Sequence, residues 1–460
     1  MDSSSDAKHG PPGGWRGLLV ILGPGIVVAG SVMGGGELIN TPLQAAKFGF
    51  VLLWAVVIAC VIKYFLQVEL GRHCLVHGRT TVGALNTCLG PKVRGTSWVA
   101  LAYMFGYTIS LATAVGIIGS LVGLMQSIVP SSGTSAQSTQ AWGVALIAFT
   151  QLILWNGAYR SLEKWVALMV GVFCIAVVAA LLMIQGTAYR ISGAEIASGF
   201  TFSLGPEPRL AAYAVISLMG ALGTTANELF MYPYWIHEKG YARGVGVVHS
   251  DEWTASMRGW IRGLHLDAGF ATIVATLATL AFYLLGASVL HRQGITPSGL
   301  DVVEQISRVF TQTYGSWSYA LYMAGAFSTL FSTLVVATAA TGRMWADVLG
   351  SMSVIDRGDP FVVNKVHRRV QTIYLVGMLA AFLTIQEAPA KLVVWGQFFA
   401  GVFNTPLIMF GICWAAFHTD RRLRMSVWSA TALVGSTTVV LASILGGLAI
   451  QQGWISGLRE

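Results

Sequence analysis

The chain has 460 residues, of which 55% are hydrophobic and only 10% are charged, whereas soluble domains average about 25% charged residues. This composition excludes an ordinary soluble globular protein and predicts an integral membrane protein. The net charge of +8 resides mainly in short loops between apolar segments, which is typical of cytoplasmic loops of membrane proteins and does not indicate nucleic-acid binding. The five cysteines are scattered and odd in number, so no disulfide framework is expected.

Long apolar runs bounded by charged or turn residues predict an all-α protein with eleven transmembrane helices. The polar segment 1–16 lacks signal-peptide features and is expected to be a cytoplasmic tail. The spans form a first five-helix repeat over 17–185, a second over 209–417 and an eleventh helix over 426–451. They are predicted at 17–46, 50–72, 97–129, 141–157, 163–185, 209–236, 266–290, 316–343, 370–388, 391–417 and 426–451.

The distribution of lysine and arginine predicts the orientation of these spans. With the N-terminus inside, 20 of the 28 basic residues fall on the inner side and seven on the outer side, while Lys63 lies within a span. Because basic residues accumulate in cytoplasmic loops, we expect a multi-pass cell-membrane protein with a cytoplasmic N-terminus and an external C-terminus.

Two loops are long enough to hold helices of their own. The inner loop that starts at Asp251 and the outer loop that starts at Gly299 are both predicted to form interfacial helices. The sequence contains no P-loop, no HExxH and no CxxC motif, and no grouping of nucleophile, base and orienting residue. An enzyme and a bound cofactor are therefore not expected.

Glycine clusters interrupt the first and the sixth span. Three consecutive glycines begin at Gly34, and Glu37 follows them directly; in the sixth span, 220–225 interrupts the apolar run before Asn227 and Glu228. Such interruptions at corresponding positions of two halves indicate an inverted-repeat transporter whose substrate site lies between two broken helices. The alternative is that these are packing glycines, with each acid serving only to stabilise a helix N-terminus.

Several segments resemble one known family. In the first two spans, GPG, GGGE, LQAAKFGF and FLQVELGR resemble the corresponding segments of the Nramp divalent-metal transporters. The resemblance continues in order through RSLEKW, MGALGTTAN, AGAFSTLFST and WGQ, the last followed by Pro406. It implies the LeuT-type fold and a secondary transporter that moves a divalent cation across the lipid bilayer by alternating access.

The resemblance also implies a metal site, although its residues depart from the family pattern. Gly34 stands where the family has a metal-binding Asp, and Thr224 stands where it has a metal-binding Met. Ala114 and Ile117 replace the titratable pair of the family's proton route, so transport is expected to depend weakly on a proton gradient. The implied site consists of Glu37, Gly34, Thr224, Asn227 and Gln397 with backbone carbonyls near Ser31 and Ala221.

The predicted ligands favour a hard ion. Oxygen donors without a thioether suit Mg²⁺ or Mn²⁺ better than softer metals. Two other functions remain open: a carrier of a small organic or amino-acid substrate, and a receptor or scaffold that does not transport.

Lys63 lies in the middle of the second span. A charge at that depth costs about 2.5 to 3.5 kcal/mol on insertion scales and normally has a partner, so we predict an ion pair with Glu37 or Glu228. A permanent pair would favour a substrate that brings its own carboxylate to the helix N-termini. In the eighth span, Ser328 and Thr329 are further polar candidates that resemble one side of a sodium site.

Overall fold

The structure is a computed structural model that describes residues 34–129, 135–155, 159–242, 245, 247–385 and 388–453. Within these residues, eight helical segments are long and apolar enough to cross a membrane. A multi-pass helical membrane protein is therefore confirmed. Most of the predicted first span lies outside the described residues, so the number of eleven spans stays a prediction.

The helices of the described residues are numbered in chain order. The first part of the chain contains α1 Thr41–Phe48, α2 Leu53–His77, α3 Thr81–Leu85, α4 Trp98–Ser110, α5 Ala112–Ile128, α6 Ser135–Trp155, α7 Tyr159–Met183 and α8 Gly193–Ser198. The second part contains α9 Pro208–Ala221, α10 Ala226–Glu238, α11 Asp251–Leu285, α12 Val302–Ile306, α13 Arg308–Tyr314, α14 Ser318–Ser351, α15 Pro360–Thr384, α16 Pro389–Phe399, α17 Thr405–Phe417 and α18 Val427–Gln451.

Shorter elements complete the described chain. Strands β1, Lys92–Val93, and β2, Thr96–Ser97, form a small antiparallel hairpin between α3 and α4. Three π-helical turns adjoin helices, and two 3₁₀ turns lie in loops or at helix ends. The π-helical turns are Gly36–Asn40, Gly286–His291 and Ala400–Asn404, and the 3₁₀ turns are Ile184–Gly186 and Arg421–Leu423.

The predicted interfacial helix at Asp251 is wrong. The structure has one continuous helix, α11, which starts behind the N-cap Ser250 and runs to Leu285. Its buried residues Trp253, Met257, Trp260 and Leu264 recur every three or four positions and continue into the apolar span, so one packed face joins the two segments. In the outer loop after Gly299, the short helices α12 and α13 are present as expected.

The sixth span is broken, as the sequence predicts. Helix α9 ends at Ala221, and α10 begins at Ala226 behind the N-cap Thr225. Gly223 has a φ of +63°, a left-handed conformation that glycine adopts without strain. The four residues between the helices therefore run as non-helical chain through the protein interior.

The broken sixth span packs against the described part of the first. The π-helical turn Gly36–Asn40 contacts both α9 and α16. A Cβ atom at Gly36 would lie 3.0 Å from the carbonyl oxygen of Ala221, so the absence of a side chain allows the two backbones to approach closely. Helix α2 packs along α10 and α11 on another side of the break. This arrangement places the two glycine clusters next to each other in the core.

Candidate functional site

A cavity of about 150 Å³ lies where the first-span turn meets the sixth-span break. Its walls come from the turn, from both halves of the sixth span, and from α4, α5, α14, α15 and α16. The predicted residues Gly34, Glu37, Ala221, Asn227 and Gln397 all line it, as does Glu228. Two carboxylates, two carboxamides and a helix break thus share one internal space.

Glu37 has an incompletely satisfied carboxylate in this cavity. Its side chain is fully buried, and its Oε2 atom accepts a hydrogen bond of 3.4 Å from the backbone N–H of Gly34. The Oε1 atom has no hydrogen-bond partner among the described residues. Because an unpaired buried carboxylate oxygen costs free energy, this atom marks a position where a cation or a donor group would be stabilised.

The amide groups of Asn227 and Gln397 are held in place by neighbours. Tyr103 donates its hydroxyl proton to Asn227 Oδ1 at 2.8 Å, and Asn40 donates through Nδ2 to Gln397 Oε1 at 2.7 Å. The same Asn40 nitrogen also donates to Ser217 Oγ at 2.9 Å. Since a carbonyl oxygen has two lone pairs, each amide oxygen keeps acceptor capacity for a cation in the cavity.

Glu228 stabilises the start of α10 while lining the cavity. Thr225 and Glu228 form a capping box, in which the Thr225 N–H donates to Glu228 Oε2 at 2.7 Å and the Glu228 N–H donates to Thr225 Oγ1 at 3.4 Å. The structural role considered for this acid is therefore present. Its position in the cavity wall adds negative charge to the space that Glu37 faces.

Besides Lys63, three predicted site residues of the described chain do not reach the cavity wall. Thr224 donates its hydroxyl proton to Gln67 Oε1 at 2.7 Å, because it precedes the N-cap and does not share the helical face of Glu228. Ser328 donates to the carbonyl of Ala324 at 2.8 Å, and Thr329 is buried elsewhere on α14. Ser31 lies outside the described residues.

The predicted ion pair of Lys63 is wrong. Lys63 is fully buried, but the ion pairs of the described residues do not join it to Glu37 or Glu228 within 4 Å. Its Nζ atom donates to the carbonyl oxygen of Leu222 at 2.5 Å. The physical reason is that α9 ends at Ala221, so a carbonyl in the break is available to satisfy the ammonium group.

Several cavity residues were not among the sequence-predicted ligands. On α14, the polar side chain in the wall is Thr333, one turn beyond Thr329. On α10, Met231 and Trp235 follow Asn227 at intervals of four residues, which places all three on one helical face. This spacing was available in the sequence, whereas the approach of α14 to Gly34 depends on tertiary packing.

The fold is similar to that of solved membrane transporters. A manganese transporter variant from Eremococcus coleocola is 14% identical, with a TM-score of 0.63, over 96% of this chain and 89% of that chain. MhsT in complex with L-phenylalanine is 14% identical, with a TM-score of 0.59, over 94% of this chain and 98% of that chain. These similarities show the LeuT-type fold but do not identify a substrate for this chain.

Sequence comparison shows the family. Residues 25–454 match the sequence model described as Nramp, natural resistance-associated macrophage protein-like, and the chain belongs to that family. A protein named divalent metal cation transporter MntH from Bradyrhizobium diazoefficiens is 24% identical over 94% of this chain and 88% of its own length. Another of the same name from Acidiphilium cryptum is 23% identical over 72% of this chain and 70% of its own.

Proposed function

We propose that the protein is a secondary transporter that moves a divalent metal cation by alternating access through the cavity between the first and sixth spans. The single observation that carries this proposal is the buried Oε1 atom of Glu37, which has no partner among the described residues and belongs to a residue of the cavity wall. Family membership and the names of the relatives support the same function.

The proposed ion site combines hard donors. Glu37 supplies a carboxylate, Asn227 and Gln397 supply amide oxygens, and the end of α9 supplies the carbonyl of Ala221. These donors favour Mg²⁺ or Mn²⁺. Met231 places a thioether in the same cavity wall, so a softer ion such as Cd²⁺ is an informative comparison for measuring selectivity.

The proposed topology has eleven spans, with inverted repeats over 17–185 and 209–417 and a cytoplasmic N-terminus. Along α10 the cavity lining reaches Trp235, and along α14 it reaches Met344. Both residues lie toward the helix ends that carry Lys239 and Arg343, which are inner in this orientation. In the proposed orientation, the cavity therefore extends from the helix breaks toward the inner side, where Trp235 and Met344 are buried.

A small organic solute is the second candidate substrate. The inner half of the cavity is lined by the aromatic rings of Tyr107, Trp235 and Tyr374, which suit an organic group better than a bare ion. However, the volume of about 150 Å³ is below the range of about 300 to 1,000 Å³ that is usual for pockets binding drug-sized ligands. This comparison favours a metal ion or a very small solute.

Calorimetric titration of the purified protein distinguishes the two candidates. The titrants are Mg²⁺, Mn²⁺, Ca²⁺ and Cd²⁺, together with glycine, alanine and small amines at equal ionic strength. The proposal expects saturable binding of Mg²⁺ or Mn²⁺ that is markedly weaker in Glu37→Gln. Binding of an organic solute without binding of any divalent ion would replace the proposal with the second candidate.

A further inference from the structure

One face of α2 contacts the sixth-span break at several residues. A Cβ atom at Gly223 would lie 2.9 Å from the carbonyl oxygen of Ala59 and 3.0 Å from Cys60 Cα, so the break rests directly on the backbone of α2. One turn further along α2, Lys63 donates to the carbonyl of Leu222.

The contact continues one turn beyond Lys63. Gln67 Oε1 accepts the hydroxyl proton of Thr224 at 2.7 Å. Because positions 59 or 60, 63 and 67 are separated by three or four residues, they lie on one helical face. This face, formed by Ala59, Cys60, Lys63 and Gln67, is called the α2 clamp, and it contacts three consecutive residues of the break.

The ammonium group of Lys63 meets a position that is chemically suited to a cation. Helix α9 ends at Ala221, and the last carbonyls of a helix carry partial negative charge because they lack partners within the helix. Carbonyls at such half-helix ends coordinate monovalent cations in transporters with broken helices. The Leu222 carbonyl lies at this end, and a covalently attached cation donates to it.

The charges around Lys63 support the same role. Among the described residues, neither Glu37 nor Glu228 forms an ion pair with Lys63 within 4 Å. Both carboxylates line the cavity, whereas Lys63 does not. Lys63 therefore supplies a positive charge behind the break, which offsets part of the negative charge of the cavity while leaving the Glu37 Oε1 atom without a hydrogen-bond partner among the described residues.

We propose that Lys63 is a built-in monovalent cation that occupies the ion position at the end of α9, so that the protein does not require Na⁺ there. Lys63 is a positioning residue in this account, because it contacts the break and not the substrate. The role of Lys63 in transport rests on the proposed function. The replacement of a free Na⁺ by the Lys63 ammonium group does not rest on it.

The test is thermal unfolding of the purified full-length chain in detergent, in NaCl, NH₄Cl or choline chloride at equal ionic strength and without divalent ions. The variants are Lys63→Arg, which keeps the charge, Lys63→Met, which keeps most of the volume, and Lys63→Ala, which removes the charge and leaves space. The unfolding temperature of wild type should be the same in all three salts. The unfolding temperature of Lys63→Arg should likewise not depend on the salt.

The neutral variants should differ from each other. Lys63→Met should unfold at a lower temperature in every salt, because it offers neither a charge nor room for an ion. Lys63→Ala should unfold at a lower temperature in choline and recover by roughly 1 to 2 °C in Na⁺ or NH₄⁺, a shift that corresponds to one or two kcal/mol for a chain of this length. A role limited to packing predicts no such dependence on the salt.

Three results would overturn the inference: stabilisation of wild type by Na⁺ relative to choline, wild-type stability of Lys63→Met in choline, or no difference between salts for Lys63→Ala. The first two do not need Lys63→Ala, so the test remains decisive if that variant does not fold. Because divalent ions are absent, failure here is distinguishable from failure of the metal-transport proposal.

Discussion

Replacing Glu37 by glutamine should weaken metal binding without lowering the stability of the fold. The effects on binding and on folding can therefore be measured separately. The carboxylate is fully buried, one oxygen has a long hydrogen bond of 3.4 Å, and the other has no partner among the described residues. Leaving such an acceptor unsatisfied costs about 1 to 3 kcal/mol. A bound cation relieves this cost, and a neutral amide does not offer the same relief.

The magnitude follows from that range. At about 1.4 kcal/mol per tenfold change in affinity, loss of this relief corresponds to roughly a 5- to 150-fold weaker affinity for Mn²⁺. Without metal, Glu37→Gln should unfold at the same temperature as wild type or higher, since it removes an uncompensated buried charge. A variant that merely misfolds would instead lose both stability and binding.

The assay is Mn²⁺ titration calorimetry combined with thermal unfolding in the presence of a chelator. Thr329→Val is a matched control, because Thr329 is buried outside the cavity wall on α14 and should leave the Mn²⁺ affinity unchanged. Wild-type Mn²⁺ affinity in Glu37→Gln, measured on protein with unchanged unfolding, would refute the assignment of Glu37 as a ligand.

Substitutions at three other residues test the site. Thr333→Val should weaken Mn²⁺ affinity by about 2- to 10-fold, the range of one neutral hydrogen bond. If calorimetry shows an effect no larger than that of Thr329→Val, Thr333 does not belong to the site. Gly34→Ala should lower the free energy of unfolding by about 1 to 3 kcal/mol, because its Cβ atom would lie 2.7 Å from Thr333 Oγ1. Denaturation of the double variant Gly34→Ala with Thr333→Ala should show partial recovery of this loss. Additive losses of stability would argue against the contact. Glu228→Gln should fold normally, because glutamine retains the capping box, but bind Mn²⁺ more weakly. Glu228→Ala should also lose about 1 kcal/mol of stability, and equal unfolding temperatures for the two variants would show that the cap contributes nothing.

The break in the sixth span was predictable because its cause is local. Gly220, Gly223 and the threonines after them disfavour a continuous helix, and Thr225 with Glu228 forms a capping box that starts the next helix. Glu37 was predictable as a cavity residue for a similar reason, since it directly follows a run of glycines. At the sixth-span break, the sequence specifies the backbone without help from distant residues.

The partner of Lys63 was not predictable in the same way. Sequence reasoning compared it only with charged side chains, whereas a backbone carbonyl freed by the break competes successfully for the ammonium proton. Thr224 illustrates a related limit: the resemblance implies a place in the metal site, whereas the residue lies before α10 begins and its hydroxyl donates to Gln67 instead. Both errors concern the non-helical chain, whose direction is set by packing on α2.

Uptake of Mn²⁺ by proteoliposomes is the measurement that tests the central claim most directly. Purified protein is reconstituted in liposomes that contain a Mn²⁺-sensitive dye, with empty liposomes and Glu37→Gln as controls. We predict saturable uptake by wild type that is absent from empty liposomes and strongly reduced in Glu37→Gln. Uptake of neither Mn²⁺ nor Mg²⁺ above the empty liposomes, by protein with an intact unfolding transition, would contradict the proposal that this cavity transports a divalent metal cation.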